Sequence, residues 1–165
     1  MTKIKTNIQA QSLFEVLFAV AIAAIILVGV VSLSTTSIRN TTLSNSNALA
    51  TKYSQEAVEW LRGERDADFL DFLDHAIDHD SYCLSNLNWD DSGVCSGAEF
   101  ITDTPFLRSL SFVCYKTDPA DSELFVNVAC DDVDVNNMEA VVETMWTDAQ
   151  GEHSIRTVSR FTNWR

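Results

Sequence analysis

Three kinds of hydrophobic patterning follow one another along the chain. Residues 13 to 33, LFEVLFAVAIAAIILVGVVSL, are apolar except for one early acid, Glu15, and the small polar Ser32 near the end. No side chain from residue 16 to 31 can form a hydrogen bond. A helix needs about 20 apolar residues to cross the hydrocarbon of a bilayer, so this run predicts a transmembrane helix. The chain then turns polar, but neither Gly nor Pro interrupts it from residue 30 to 62. Leu49, Tyr53, Ala57 and Trp60 recur at helical spacing. One helix is therefore expected over residues 12 to 62, about 75 Å at 1.5 Å per residue, with Gly63 as its end. The competing reading makes the Ser/Thr/Asn-rich middle a flexible linker.

Next, Phe69, Leu70, Phe72 and Leu73 alternate with Asp68, Asp71 and Asp74, which predicts a short second helix or turn. From Phe106 the period changes to two. Leu110, Phe112 and Cys114 share one face of a strand, as do Leu124, Val126 and Val128 of another. EAVVETMWTD alternates in the same way, and Ile155, Thr157, Ser159 and Phe161 follow at even spacing. The turns DPADS and DAQG separate these strands. The pattern predicts a meander of four antiparallel strands. A sheet with one apolar face must be covered, and the stripe on the long helix is the expected cover. The fold class read from the chain is α+β: a long N-terminal helix packed on a four-stranded antiparallel sheet.

Charge narrows the function. The chain carries a formal net charge of −13, and from residue 63 onward it has 21 Asp and Glu against 6 Lys and Arg. Such a surface repels nucleic-acid phosphates, so no nucleic-acid partner is expected. Lys3 and Lys5 precede the apolar run. Positive charge stays on the cytoplasmic side, which places the N-terminus inside and the rest of the chain outside. There, the even set Cys83, Cys95, Cys114 and Cys130 suggests two disulfides. Cys83 and Cys95 would close a short loop, and Cys114 and Cys130 flank a predicted hairpin turn. Four cysteines nonetheless allow three connectivities.

A secretory signal peptide has an apolar core of about 7 to 15 residues, shorter than this run. A plain signal anchor accounts for length and lysines but leaves Glu15 without a purpose. The pattern as a whole is a short basic leader, Ala10, then Gln11-Ser12-Leu13-Phe14-Glu15-Val16 and an apolar helix. It resembles the type IV pilin signal, shared by type IV pilins, competence pilins and the pseudopilins of type II secretion. The resemblance implies a cut between Ala10 and Gln11 by a prepilin peptidase, N-methylation of the new terminus, and Glu15 as the fifth mature residue. It also implies that Glu15 faces the terminal amine of a neighbouring subunit during assembly. The family usually has Gly where this chain has Ala10. The proline common in major pilins is absent from the helix, since the prolines are Pro105 and Pro119, which is more like a minor pilin or pseudopilin. VETMWTDAQGEHSIRTVSRFTNWR is also similar to the C-terminal pattern of PilV-like minor pilins. The organisation so implied is a leader over 1–10, a long helix over 11–62 with 13–33 in the membrane, and an extracytoplasmic globular part over 63–165. The implied partners are other pilin subunits, the prepilin peptidase, an inner-membrane assembly platform and membrane lipid. The implied location is the cell membrane before assembly and an extracellular pilus or pseudopilus after it.

Two constellations offer metal chemistry. His75, His79 and Cys83 are spaced by four and, with Cys95, have zinc-ligand chemistry. Asp132, Asp134, Asn136 and Glu143 stand at relative positions 1, 3, 5 and 12 of a calcium loop, with Asn137 where that loop needs Gly. No nucleophile elbow, P-loop or dinucleotide fingerprint is present. The chain is therefore expected to be no enzyme and to carry no cofactor, calcium apart. The alternative function is a single-pass, membrane-anchored extracytoplasmic binding domain, calcium-binding and unrelated to pili.

Overall fold

Helix α1 runs through Ile8–Ala67 in the computed structural model, which describes residues 8–93, 95–97, 99–118, 121–132, 135 and 137–162. The Ser/Thr/Asn-rich middle is thus helix and not linker. Its threonines supply the reason. Thr35, Thr36, Thr41, Thr42 and Thr51 each donate their hydroxyl to the carbonyl four residues earlier, at 2.8–3.1 Å. A hydroxyl satisfied on its own helix needs no outside partner. Nor does Gly63 end the helix. A single interior glycine costs only about 1 kcal/mol, and nothing lies within 4 Å of where its Cβ would stand. The stop is Asp68, whose backbone is extended. Its carboxylate accepts from the Leu70 and Asp71 N–H groups at 2.9 and 3.4 Å, capping α2 (Phe69–Asp78).

The chain divides into two compact units after Asn45. In the first, every Leu, Ile, Val and Phe over residues 13–33 is 45–74% exposed. This helix is long and apolar enough to cross a membrane. The second unit holds the rest of α1, α2 and a five-stranded antiparallel sheet: β1 (Ser81–Cys83), β2 (Leu107–Asp118), β3 (Asp121–Val128), β4 (Asn137–Asp148) and β5 (Gly151–Thr162). The long helix packs on this sheet through Ala50, Ser54, Ala57, Val58 and Leu61, all buried. The expected stripe was centred one position away, with Leu49, Tyr53 and Trp60 now half-buried at its flanks. Small residues at the centre let the helix come close to the strands.

The sheet is not a meander. Its order is β1-β2-β4-β5, with β3 also paired to β2. β1 meets residues 109–111 of β2 and β3 meets residues 114–118, so these two short strands share one flank of β2 while β4 takes the other. Burial explains the order. Met138, Ala140, Val142, Thr144 and Trp146 of β4 all face the core, whereas Val126 of β3 is 41% exposed. The strand with the long buried row takes the central place, and β3, whose Phe125 and Val126 are exposed, takes the edge. The connection from β3 to β4 consequently crosses β2 on the core side, where Cys130 is bonded to Cys114 and Val135 packs on the core.

The register aligns the core rows. Tyr82, Leu110, Val142 and Thr157 form one row, Phe112, Ala140 and Ser159 the next, and Cys114, Met138 and Phe161 a third. The fourth row, Arg108, Thr144 and Ile155, is polar where it meets α1. Thr144 Oγ1 and Ser54 Oγ share a hydrogen bond of 2.8 Å with both residues fully buried. Arg108, 2% exposed, donates from Nε to the Leu84 carbonyl at 3.0 Å and from Nη1 to the Tyr53 carbonyl at 2.9 Å. Burial pulls its guanidinium below the usual arginine range, and the neighbouring Glu56 carboxylate, at 3.4 Å, opposes that.

The Ser54–Thr144 pair gives a direct test. Ser54→Ala strands a buried hydroxyl and is expected to cost about 1–3 kcal/mol. Thr144→Val in addition should restore part of it. Urea midpoints of the two singles and the double measure the coupling; strictly additive losses would show that the hydrogen bond contributes nothing.

Candidate functional site

The N-terminal segment carries the first set of predicted site residues. Ala10 and Gln11 lie in the helical backbone of α1, whose described part reaches back to Ile8, four residues before the expected start. Glu15 follows Gln11 by four positions, about 6 Å along the axis and on the same helical face. It is exposed and makes no ion pair or hydrogen bond among the described residues. It therefore stands as an unpartnered acid on a helix whose other large side chains are apolar and uncovered.

All four cysteines are paired, Cys83 with Cys95 and Cys114 with Cys130. Both expected pairings are met, but Cys114 and Cys130 are not partners across a hairpin. Val128 is the residue opposite Cys114, and Cys130 lies beyond the strand on the crossover. The first bond removes the zinc site. Cys83 and Cys95 lie close to Glu99, yet as a disulfide they have no thiolate to offer.

The histidines have other work. His75 stacks on Trp89, with centroids 4.3 Å apart and planes 15° apart, and its carbonyl accepts from the Tyr82 hydroxyl at 2.8 Å. His79 is the residue that ends α2. Around them lies a cluster that periodicity did not reveal: Trp60, Phe72, Tyr82, Trp89 and Phe112, with Trp89 Nε1 donating to Glu64 at 3.0 Å. Trp89 comes from a turn-rich segment with no alternation to place it.

The calcium spacing does not survive folding either. Asp134 and Asn136 fall outside the described residues. Asp132 pairs with Lys116 at 2.7 Å, and Glu143 sits in mid-β4 opposite Ser109. Lys116 and Ser109 are seven residues apart on one strand, about 23 Å. Asn137–Asp148 is extended where a calcium loop must curl, so Asp132 and Glu143 are not brought together.

On the outer face of the sheet, Glu139 accepts from Tyr115 Oη at 3.1 Å and from Arg160 Nη2. The Arg160 bond, stronger than the opposing cost of burial, holds Glu139 below the usual carboxylate range. Burial and the neighbouring Asp78 push the Tyr82 hydroxyl up to about 12.

Tyr82 thereby links stability to alkaline pH. An unfolded tyrosine ionises near pH 10, so the contribution is complete below about pH 10 and is lost as pH rises toward 12. Tyr82→Phe should flatten the alkaline unfolding limb in that window; an unchanged limb would assign it elsewhere. Replacing Cys114 and Cys130 by Ala should cost about 3 kcal/mol and raise amide exchange in β3 well before β5. Uniform acceleration across the sheet would show that the bond does not fix the crossover. No family model, curated protein or solved structure matches this chain.

Proposed function

We propose that this chain is a type IV pilin-like subunit, a minor pilin or pseudopilin, stored in the membrane and assembled into a filament through its apolar helix. The observation that carries this reading is Glu15: an unpartnered acid, one turn past Gln11, on an otherwise apolar and wholly uncovered helix surface. A cut between Ala10 and Gln11 creates an α-amino cation. An acid buried among apolar helices is costly alone and stabilised once such a cation reaches it. Glu15 thus favours the assembled state, where a neighbour's terminus is at hand.

The globular unit supports the same reading. The later part of α1 is covered by an antiparallel sheet, and both disulfides suit an oxidising, extracytoplasmic compartment. The partners in this scheme are other pilin subunits, the prepilin peptidase, the inner-membrane assembly platform and lipid.

Intact-mass measurement of chain purified from membranes is expected to show loss of residues 1–10. A mature chain starting after residue 33, or an uncut chain, would overturn the proposal in favour of an exported or membrane-anchored domain. Glu15→Ala should leave cleavage in place and sharply reduce incorporation into filaments. Undiminished incorporation would remove the pairing role.

A further inference from the structure

The later part of the segment between β1 and β2, which supplies Gly97, Phe100, Thr104 and Pro105 to a groove, is firmly tied to the sheet. Cys95 is bonded to Cys83, Phe100 bridges to Leu107, and the Ile101 N–H donates to the Phe106 carbonyl at 2.8 Å. The Thr104 N–H and hydroxyl both donate to the Ile101 carbonyl, at 3.0 and 2.8 Å. Beneath it, Leu107, Met145 and Ser154 form one cross-strand row. Loop and row enclose a groove of about 660 Å³, within the range of about 300–1,000 Å³ typical of ligand sites.

The lining is apolar and one-signed. Phe100, 44% exposed, and Pro105 share the apolar lining with Leu107 and Met145. The acids in the lining are Glu143 and Glu152, and no Lys or Arg joins them. Neither carboxylate has a hydrogen-bond or ion-pair partner among the described residues. Arg156 is the cross-strand neighbour of Glu143 but makes no ion pair with it. His153, also in the lining, is committed to Asp148 at 2.9 Å and stacks on Trp146. Glu152 lies opposite Thr147, four residues along β4 from Glu143. The two acids therefore flank Met145 about 13 Å apart along the strand direction.

We propose that this groove binds an extended cationic peptide segment, seating one apolar side chain between Phe100 and Met145 and a Lys or Arg at each of Glu143 and Glu152. Side chains at i, i+2 and i+4 of an extended chain point the same way and span about 13 Å. That is the spacing of acid, apolar seat and acid. Charge complementarity selects the occupant, and the apolar seat distinguishes it from any cation drawn to an acidic surface. The inference is independent of filament assembly.

The test uses the full chain in nonionic detergent micelles, with the probe Ac-Lys-Ser-Leu-Ser-Lys-amide and the Met145 methyl resonance as readout. Saturable binding with a shift of that resonance is expected. Affinity should fall about tenfold in Glu143→Gln/Glu152→Gln and be unchanged in Asp71→Asn/Asp74→Asn on α2. The mirror peptide Ac-Glu-Ser-Leu-Ser-Glu-amide should not bind, and one with Ser at the centre should bind more weakly. An unmoved Met145 resonance at millimolar peptide, or equal affinity in the Glu143/Glu152 variant, would overturn the proposal. So would equal weakening by the α2 variant, which would mean general attraction to an acidic chain, or equally tight binding of lysine amide alone, which would mean a small-cation site.

Discussion

The folded unit depends on one buried polar seam, where Tyr53, Ser54 and Glu56 of α1 meet Arg108 and Thr144 of the sheet. Apolar contact brings a helix onto a sheet but is indifferent to small sliding along the axis. Polar groups are not indifferent. A slip of one turn would leave the Ser54 and Thr144 hydroxyls buried without each other, at about 1–3 kcal/mol each, and would take the Tyr53 carbonyl away from Arg108 Nη1. Arg108 further ties this seam to the Leu84 carbonyl, and so to the chain leaving β1. One cation thus fixes a helix, a central strand and a loop against one another. Glu56 offsets its charge from the solvent edge, with its side chain 51% exposed.

The seam also shapes what lies on the other side of the sheet. Arg108 and Leu107 are consecutive in β2, so the residue that anchors the helix fixes its neighbour on the opposite face. Leu107 begins the floor row of the outer groove, and Thr144 stands between Glu143 and Met145 in the same way. Strand alternation makes each core contact a positioning contact for the outer surface. The Cys83–Cys95 bond supports the wall, by tying the middle of the loop between β1 and β2 to β1.

Much of this fold was legible because two periods write themselves plainly. The helical stripe that includes Ala57 and the alternation through Leu110, Phe112 and Cys114 both report one buried face. Strand order was not legible, because period two says which face is buried and not which neighbour a strand takes. β3 follows β2 in sequence and pairs with it, but β4, with the unbroken buried row Met138, Ala140, Val142, Thr144 and Trp146, takes the central place. Composition misled in the α1 middle, where threonines read as linker but satisfy their own hydroxyls. The calcium spacing counted positions along a loop, whereas half of it is strand. Arg108 gave no warning at all: a lone basic residue in an alternating stretch reads as exposed until its three carbonyl and carboxylate partners, from distant segments, are in place.

The two parts of α1 face opposite problems with the same backbone. Past Asn45, the fully buried polar side chain, Ser54, finds a partner in Thr144, and the apolar ones find a core within one chain. Before it, apolar side chains find no cover within the chain, and Thr35, Thr36, Thr41 and Thr42 close their hydroxyls onto their own helix. Such a surface is complete only in lipid or among other helices. Lipid can match its apolar residues but offers nothing to Glu15 beyond the interface, whereas another helix can match both if it brings a cation to the same depth. In the proposed assembly a single acid would turn a surface that suits any hydrocarbon into one that distinguishes lipid from a partner, and its place one turn from Gln11 is where the proposed cut would make a new amine.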